Sequence, residues 1–100
     1  MTIERDRPYL PIDCDQHSRL EVLAMRRAVV SVRVLDDVGG VASMHGTVED
    51  VVTRHAAEYL VVRDSAGHEQ HIRLDRLQLL YDSTGVVIWR QKTDDADRDL

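Results

Sequence analysis

The residues of this chain whose types could do chemistry are few and scattered. Five histidines raise the question of a metal, and His68-x-x-His71 is the closest pair. That pair falls in a segment that reads as a strand, where residues three apart project to opposite faces. The two rings therefore cannot meet one ion without a bulge, and solvated imidazoles are the simpler reading. Cys14 comes just before a helix start, where the positive end of the helix dipole can lower a thiol pKa. Nucleophilic catalysis would also need a base and an oxyanion site, and no second segment points to either. Ser18, the aspartates and the histidines form no recognisable triad, there is no Gly-rich phosphate loop, and no carboxylate pair has convincing spacing. The chain reads as a non-enzyme, with no cofactor and no metal.

What remains is Tyr9-Leu-Pro-Ile-Asp-Cys-Asp-Gln-His-Ser18, which mixes rigid, apolar, aromatic and acidic groups. In one reading it simply leads into a helix, with Ile12 packing inward as a hydrophobic staple and Asp15 capping. In the other it is a protein-binding edge. Tyr9, Asp13, Asp15 and Glu21 then present anions around an aromatic ring, which suits a basic partner surface.

The elements that must position these groups follow from periodicity. From Asp15 to Arg27, Leu20, Leu23 and Ala24 share a helical face, with Val22 and Met25 flanking it. Asp15 is the expected N-cap, Ser18-Arg-Leu-Glu21 has the pattern of a capping box, and Arg26 and Arg27 sit at the negative end of the dipole. From Ala28 the period changes to two: Val30, Val32 and Val34 point one way, Ser31 and Arg33 the other, up to the turn Asp36-Asp-Val-Gly-Gly40. A second strand is expected from Val41 through Val48 and on to Val52, with Gly46 permitting a bend or bulge, although Glu49 to Arg54 also fits a helical turn. Glu58 to Arg63 and His68 to Leu74 form a hairpin about Asp64-Ser-Ala-Gly67, with Ile72 and Leu74 facing the core. A last strand, Val86 to Arg90, follows the turn Asp82-Ser-Thr-Gly85. The expected fold is mainly β: one N-terminal helix and about five strongly bent antiparallel strands, closed into a small barrel whose open end the helix caps.

One hundred residues leave room for a single core. The expected organisation is a flexible tail over residues 1–8, one domain over 9–91 and an acidic, disordered tail over 92–100. A formal net charge of −5 and only four aromatics, none of them Phe, count against RNA as the primary ligand. A single cysteine favours the cytoplasm, and no segment has the apolar length of a signal peptide core or a membrane span.

Taken in order, Tyr9-Leu-Pro-Ile-Asp-Cys-Asp15, Leu20-Glu21, Glu58-Tyr-Leu-Val-Val62 and Ile72-Arg-Leu-Asp-Arg-Leu77 resemble the Rho-binding antiterminator family (Rof, also called YaeO), over about residues 9 to 81. The resemblance implies an Sm-like fold. It also implies a partner, the hexameric transcription termination factor Rho. The family occupies the primary RNA-binding region of Rho, an OB-type surface in its N-terminal domain, and inhibits termination by blocking RNA access. An acidic domain complements such a surface where a polyanion would otherwise lie. The alternative is an Sm-like RNA-binding module. By position Tyr9, Pro11, Ile12, Cys14, Asp15, Leu20 and Glu21 match the family pattern. The resemblance makes Asp15 and Glu21 charge partners, Tyr9 an anchor, Pro11 a stiffener of the lead and Leu20 a core residue; Asp13 and His17 complete the expected partner-binding set. It further implies a monomer on its own, with no direct nucleic-acid contact and no membrane. Where the family pattern continues with an acidic and aromatic stretch, this chain has Gln16-His17-Ser18. That departure removes negative charge and adds a group that is cationic below about pH 6.5, so affinity for Rho is expected to be weaker or more dependent on pH.

Overall fold

The alternating valines of the segment after the helix become an inner strand of the sheet. The computed structural model describes residues 9–36 and 38–91, and the expected tails lie outside them. It contains one helix, α1 (Cys14–Met25), and six strands: β1 (Val29–Leu35), β2 (Val41–Arg54), β3 (Ala57–Arg63), β4 (Glu69–Arg73), β5 (Leu77–Tyr81) and β6 (Val87–Arg90), with a 3-10 turn at Leu74–Arg76 between β4 and β5. All pairings are antiparallel and the spatial order is β4-β3-β2-β1-β5-β6.

The strand count exceeds the expected five because Leu77–Tyr81 is a strand. Its sequence, Leu-Gln-Leu-Leu-Tyr, breaks strict alternation, and its pairing with β1 carries an irregularity between Arg33 and Val34. The ladder does not close: β4 and β6 are both edges, so hydrogen bonding does not complete the expected barrel. The sheet is nonetheless strongly bent. β2 is 14 residues long and pairs with β1 through its first half and with β3 through its second. Glu49–Arg54 is therefore strand and not a helical turn. Register shifts between Val48 and Asp50, where a bulge turns the strand. Gly46 is needed on the inside of this bend, since a Cβ there would lie 2.5 Å from the Arg63 carbonyl oxygen and 2.6 Å from a Val62 methyl. The hairpin from β2 to β3 has only His55 and Ala56 in its loop, at φ of +50° and +64°.

One face of the sheet and one face of α1 share the core. Leu20, Val30, Val32, Val48, Leu60, Val62, Leu74, Leu77 and Leu80 are fully buried, with Trp89 and Ile72 close to it, as expected for Leu20, Ile72 and Leu74. Helix α1 packs on β2 and also touches β6. Two bonds fasten that second contact: Trp89 Nε1 donates to the Gln16 carbonyl (3.1 Å), and Gln16 Nε2 donates to the Arg90 carbonyl (2.6 Å).

Candidate partner interface

The segment before α1 is held down by two carboxylates far away in sequence. Asp75, in the 3-10 turn, accepts from the Leu10 backbone N–H at 3.0 Å. It also takes Arg73 in a two-pronged pair, Nε to Oδ1 at 2.9 Å and Nη2 to Oδ2 at 2.6 Å. The Asp75 side chain is only 9% exposed. Its burial pushes the carboxyl pKa up, but the Arg73 bonds and the Leu10 N–H outweigh that and hold it below the usual range. Glu58, near the start of β3, accepts from the Tyr9 hydroxyl at 3.1 Å. Burial first, then Glu58, hold that hydroxyl above its ordinary pKa, and the Arg73 guanidinium lies 5.7 Å from the centre of the Tyr9 ring. Ile12 packs against the core, as the staple reading expects.

The cap lies two residues earlier than the sequence suggested. Asp13, not Asp15, is the N-cap: its backbone is extended and its Oδ1 accepts from Gln16 N at 2.8 Å. The reason is that Cys14 already opens the helix. Ser18 and Glu21 then fall inside it and form no capping box. At the other end Met25 is the last helical residue and Arg26 the C-cap, with Arg27 at φ +54° just beyond.

These contacts divide the expected partner-binding residues into two groups. Pro11, Asp13, Cys14, Asp15 and Glu21 are exposed, whereas Tyr9, Ile12 and His17 are half-buried behind them. Asp15 is 77% exposed and, among the described residues, pairs with Arg19, 3.5 Å away one turn on. Glu21 lies 3.7 Å from His17 Nδ1. His17 Nε2 is buried 3.2 Å from Glu58 Oε2 but lacks the alignment of a hydrogen bond, so the contact is an ion pair when the imidazole is protonated. Glu58 thus links Tyr9 to α1, and Asp75 links Leu10 to the sheet. Sequence reasoning missed both; the only signal was their place inside the two strand patterns that carry the family resemblance. Chemically, the arrangement is a partly apolar surface on α1 that presents Asp13, Asp15 and Glu21 beside Arg19, with its lead pinned behind it.

The histidine pair His68 and His71 does not converge: His68 lies in the turn, and His71 contacts Glu69 (3.3 Å) and Arg54 (3.1 Å). Among the described residues no group of three or more His, Cys, Asp or Glu is placed to hold a metal ion, and no helix is long and apolar enough to cross a membrane.

The chain is similar to "Protein rof" of Escherichia coli (strain K12) and of Shigella flexneri, each 30% identical over 69 residues, which is 69% of this chain and 76% of the relative. Among solved structures it is similar to one described as "YaeO bound to Magnesium from Vibrio cholerae O395", with a TM-score of 0.53 at 15% identity, covering 64% of this chain and 78% of that one, a likeness of fold. The profile of a family of transcription-termination modulators, not of enzymes, matches residues 11–85. With three quarters of its length so matched, the chain belongs to the family described as modulator of Rho-dependent transcription termination (ROF).

Proposed function

We propose that the protein binds the N-terminal, OB-type domain of hexameric Rho at its primary RNA-binding region through the lead and the exposed side of α1, and inhibits termination by keeping RNA out. The observation that carries this reading is the exposure of three carboxylates on α1 and its cap. Asp13, Asp15 and Glu21 project from a helix that is tied to the sheet at Gln16, His17 and the Tyr9–Leu10 lead. A surface built to receive a phosphodiester chain is basic, and carboxylates held on a packed helix complement it with little ordering cost on binding. Tyr9, Ile12 and His17 act behind this surface, holding Pro11, Cys14 and the carboxylates in place. No catalytic step is part of this reading. The protein acts as a cytoplasmic competitor of RNA.

The test is titration into purified Rho from the same organism, with and without a cytidine-rich RNA, followed by calorimetry or fluorescence anisotropy. Binding that RNA competes away is the expected result. Asp15→Arg is expected to abolish it while leaving the melting temperature within about 2 °C of wild type, because Asp15 is a surface residue with one weak ion pair. Wild-type affinity in that variant would remove Asp15 from the interface. No binding at micromolar concentration and low salt would refute the function.

A further inference from the structure

Among the described residues, the buried side-chain polar atom left without a hydrogen bond is Nε2 of His17. Such an atom is costly, and its neighbours show what relieves it. The imidazole stands between two carboxylates: Glu58 Oε2 lies 3.2 Å from Nε2, and Glu21 Oε2 lies 3.7 Å from Nδ1. A neutral imidazole has one donor nitrogen and one acceptor nitrogen. Whichever nitrogen carries the hydrogen, the lone pair of the other faces a carboxylate. Only the imidazolium presents an N–H to both sides. Glu58 then acts as a bridge, because its oxygens are divided: Oε2 meets His17, and Oε1 accepts from the Tyr9 hydroxyl at 3.1 Å. The charged ring fixes the carboxylate that Tyr9 needs without competing for it.

The other charges near this cluster are engaged elsewhere. In the cap, the Asp13 carboxylate accepts from Gln16 N, and behind Tyr9, Arg73 and Asp75 are paired with each other. On β2, which packs on α1, Glu49 is paired with Arg63, Asp50 accepts from the Val51 N–H, Arg54 lies 4.5 Å over the Tyr59 ring and His45 bonds Ser31. On β6, Arg90 meets α1 through its carbonyl oxygen. Between about pH 5.5 and 8 an imidazole changes charge, whereas carboxyl and guanidinium groups ordinarily do not. Asp75 is held below the ordinary carboxyl range and the Tyr9 hydroxyl above its own, so neither changes charge in this interval.

We propose that His17 is a proton-operated latch of the partner surface: as imidazolium it ties α1 to Glu58 and, through Glu58, to the Tyr9 lead, so that Rho is bound more tightly on the acid side of neutrality. The Rho clause rests on the function proposed above; the latch does not. His17 is a positioning residue here, since it touches Glu21 and Glu58 behind the exposed carboxylates. The residue type alone implies the opposite sign, because a cation added among exposed carboxylates weakens their attraction for a basic partner. Burial behind them reverses it. Glu21 is 55% exposed and its pair is worth little, so the half-buried Glu58, at 29%, decides the direction.

The test compares wild type with H17Q and E58Q from about pH 8 to about pH 5.5. H17Q removes the charge change, and E58Q keeps an acceptor for Tyr9 but removes the charge that the imidazolium meets. Reading each quantity as the ratio of wild type to variant cancels the contributions of the other histidines and of Rho itself. Without Rho, protection of the Leu10 amide from hydrogen exchange, followed by NMR, reports how firmly the lead is held, since that N–H is bonded to Asp75. Its ratio to either variant is expected to rise about three- to tenfold as pH falls, in keeping with an ion pair between the exposed and the buried cases. With Rho, followed by fluorescence anisotropy, the ratio of wild-type to H17Q affinity is expected to rise by a similar factor. A Leu10 ratio that does not change with pH overturns the latch, and so does an E58Q variant that keeps the wild-type dependence on pH. An affinity ratio that stays flat, or that falls as the solution is acidified, overturns the proposal too; a fall places His17 against Rho itself. If wild type binds no Rho at any pH, the function proposed above fails and the Leu10 ratio alone decides the latch.

Discussion

Asp75 is the residue on which the position of the whole lead depends, and removing it should be costly. It accepts three N–H groups, two from Arg73 and one from Leu10, while only 9% exposed. Taken singly, hydrogen bonds to a charged acceptor are worth about 1.5–3 kcal/mol, but three bonds to one carboxylate do not add. Breaking a buried ion pair from one side costs about 3–5 kcal/mol. Arg73, 17% exposed, can turn partly to water, which places Asp75→Ala at the lower end, about 3 kcal/mol. For a domain of this size each kcal/mol is about 4–8 °C, so the melting temperature should fall by roughly 12–24 °C. Urea unfolding followed by the fluorescence of Trp89, the single tryptophan, would show this as a lower midpoint at unchanged slope. The same carboxylate sets a pH dependence. Its folded pKa lies below its unfolded value of about 3.9, so its contribution is complete well above pH 4 and is lost as pH falls through the folded value. The stability gap between wild type and Asp75→Asn should therefore shrink from about pH 6 to about pH 3. A loss under about 1 kcal/mol for Asp75→Ala, or a gap that does not change with pH, would refute the reasoning.

Two backbone predictions follow from the bend and the hairpin of β2. Gly46→Ala puts a Cβ against the Arg63 carbonyl and a buried Val62 methyl of β3, where the backbone cannot yield, and should cost about 1–3 kcal/mol in chemical denaturation; a neutral result would mean that the bend is softer than its contacts imply. Ala56→Gly relieves a left-handed residue at φ +64° in a two-residue loop and should stabilise by about 0.5–1 kcal/mol, read as a higher denaturation midpoint; destabilisation would show that loop entropy outweighs the strain.

Much of the fold was legible in local pattern. The alternation of Val30, Val32 and Val34 located the inner strand, the Asp-x-x-Gly turns at Asp64 and Asp82 located two reversals, and Leu20 was placed in the core by helical spacing. These succeed because each depends on neighbours within a few residues. Leu77–Tyr81 failed because its leucines do not alternate, and only the pairing with β1 decides that it is a strand. The β2–β3 reversal failed because His55 and Ala56 carry none of the usual turn chemistry.

The candidate site divides along the same line. The sequence by itself determined that a helix with an aromatic, acidic, Pro-stiffened lead exists, because charge, capping chemistry and periodicity are properties of adjacent residues. It put the cap at Asp15, whereas the helix opens at Cys14 and Asp13 caps it, accepting from Gln16 N. Only the tertiary structure decided which of the eight expected residues face outward. That choice depends on Glu58 and Asp75, which are 49 and 65 positions from the groups they hold, and on an open, bent sheet that brings them there. It likewise gathered Arg33, Tyr81 and Arg90 from three strands onto one face, because cross-strand register, unlike helical spacing, is set by partners distant in the chain.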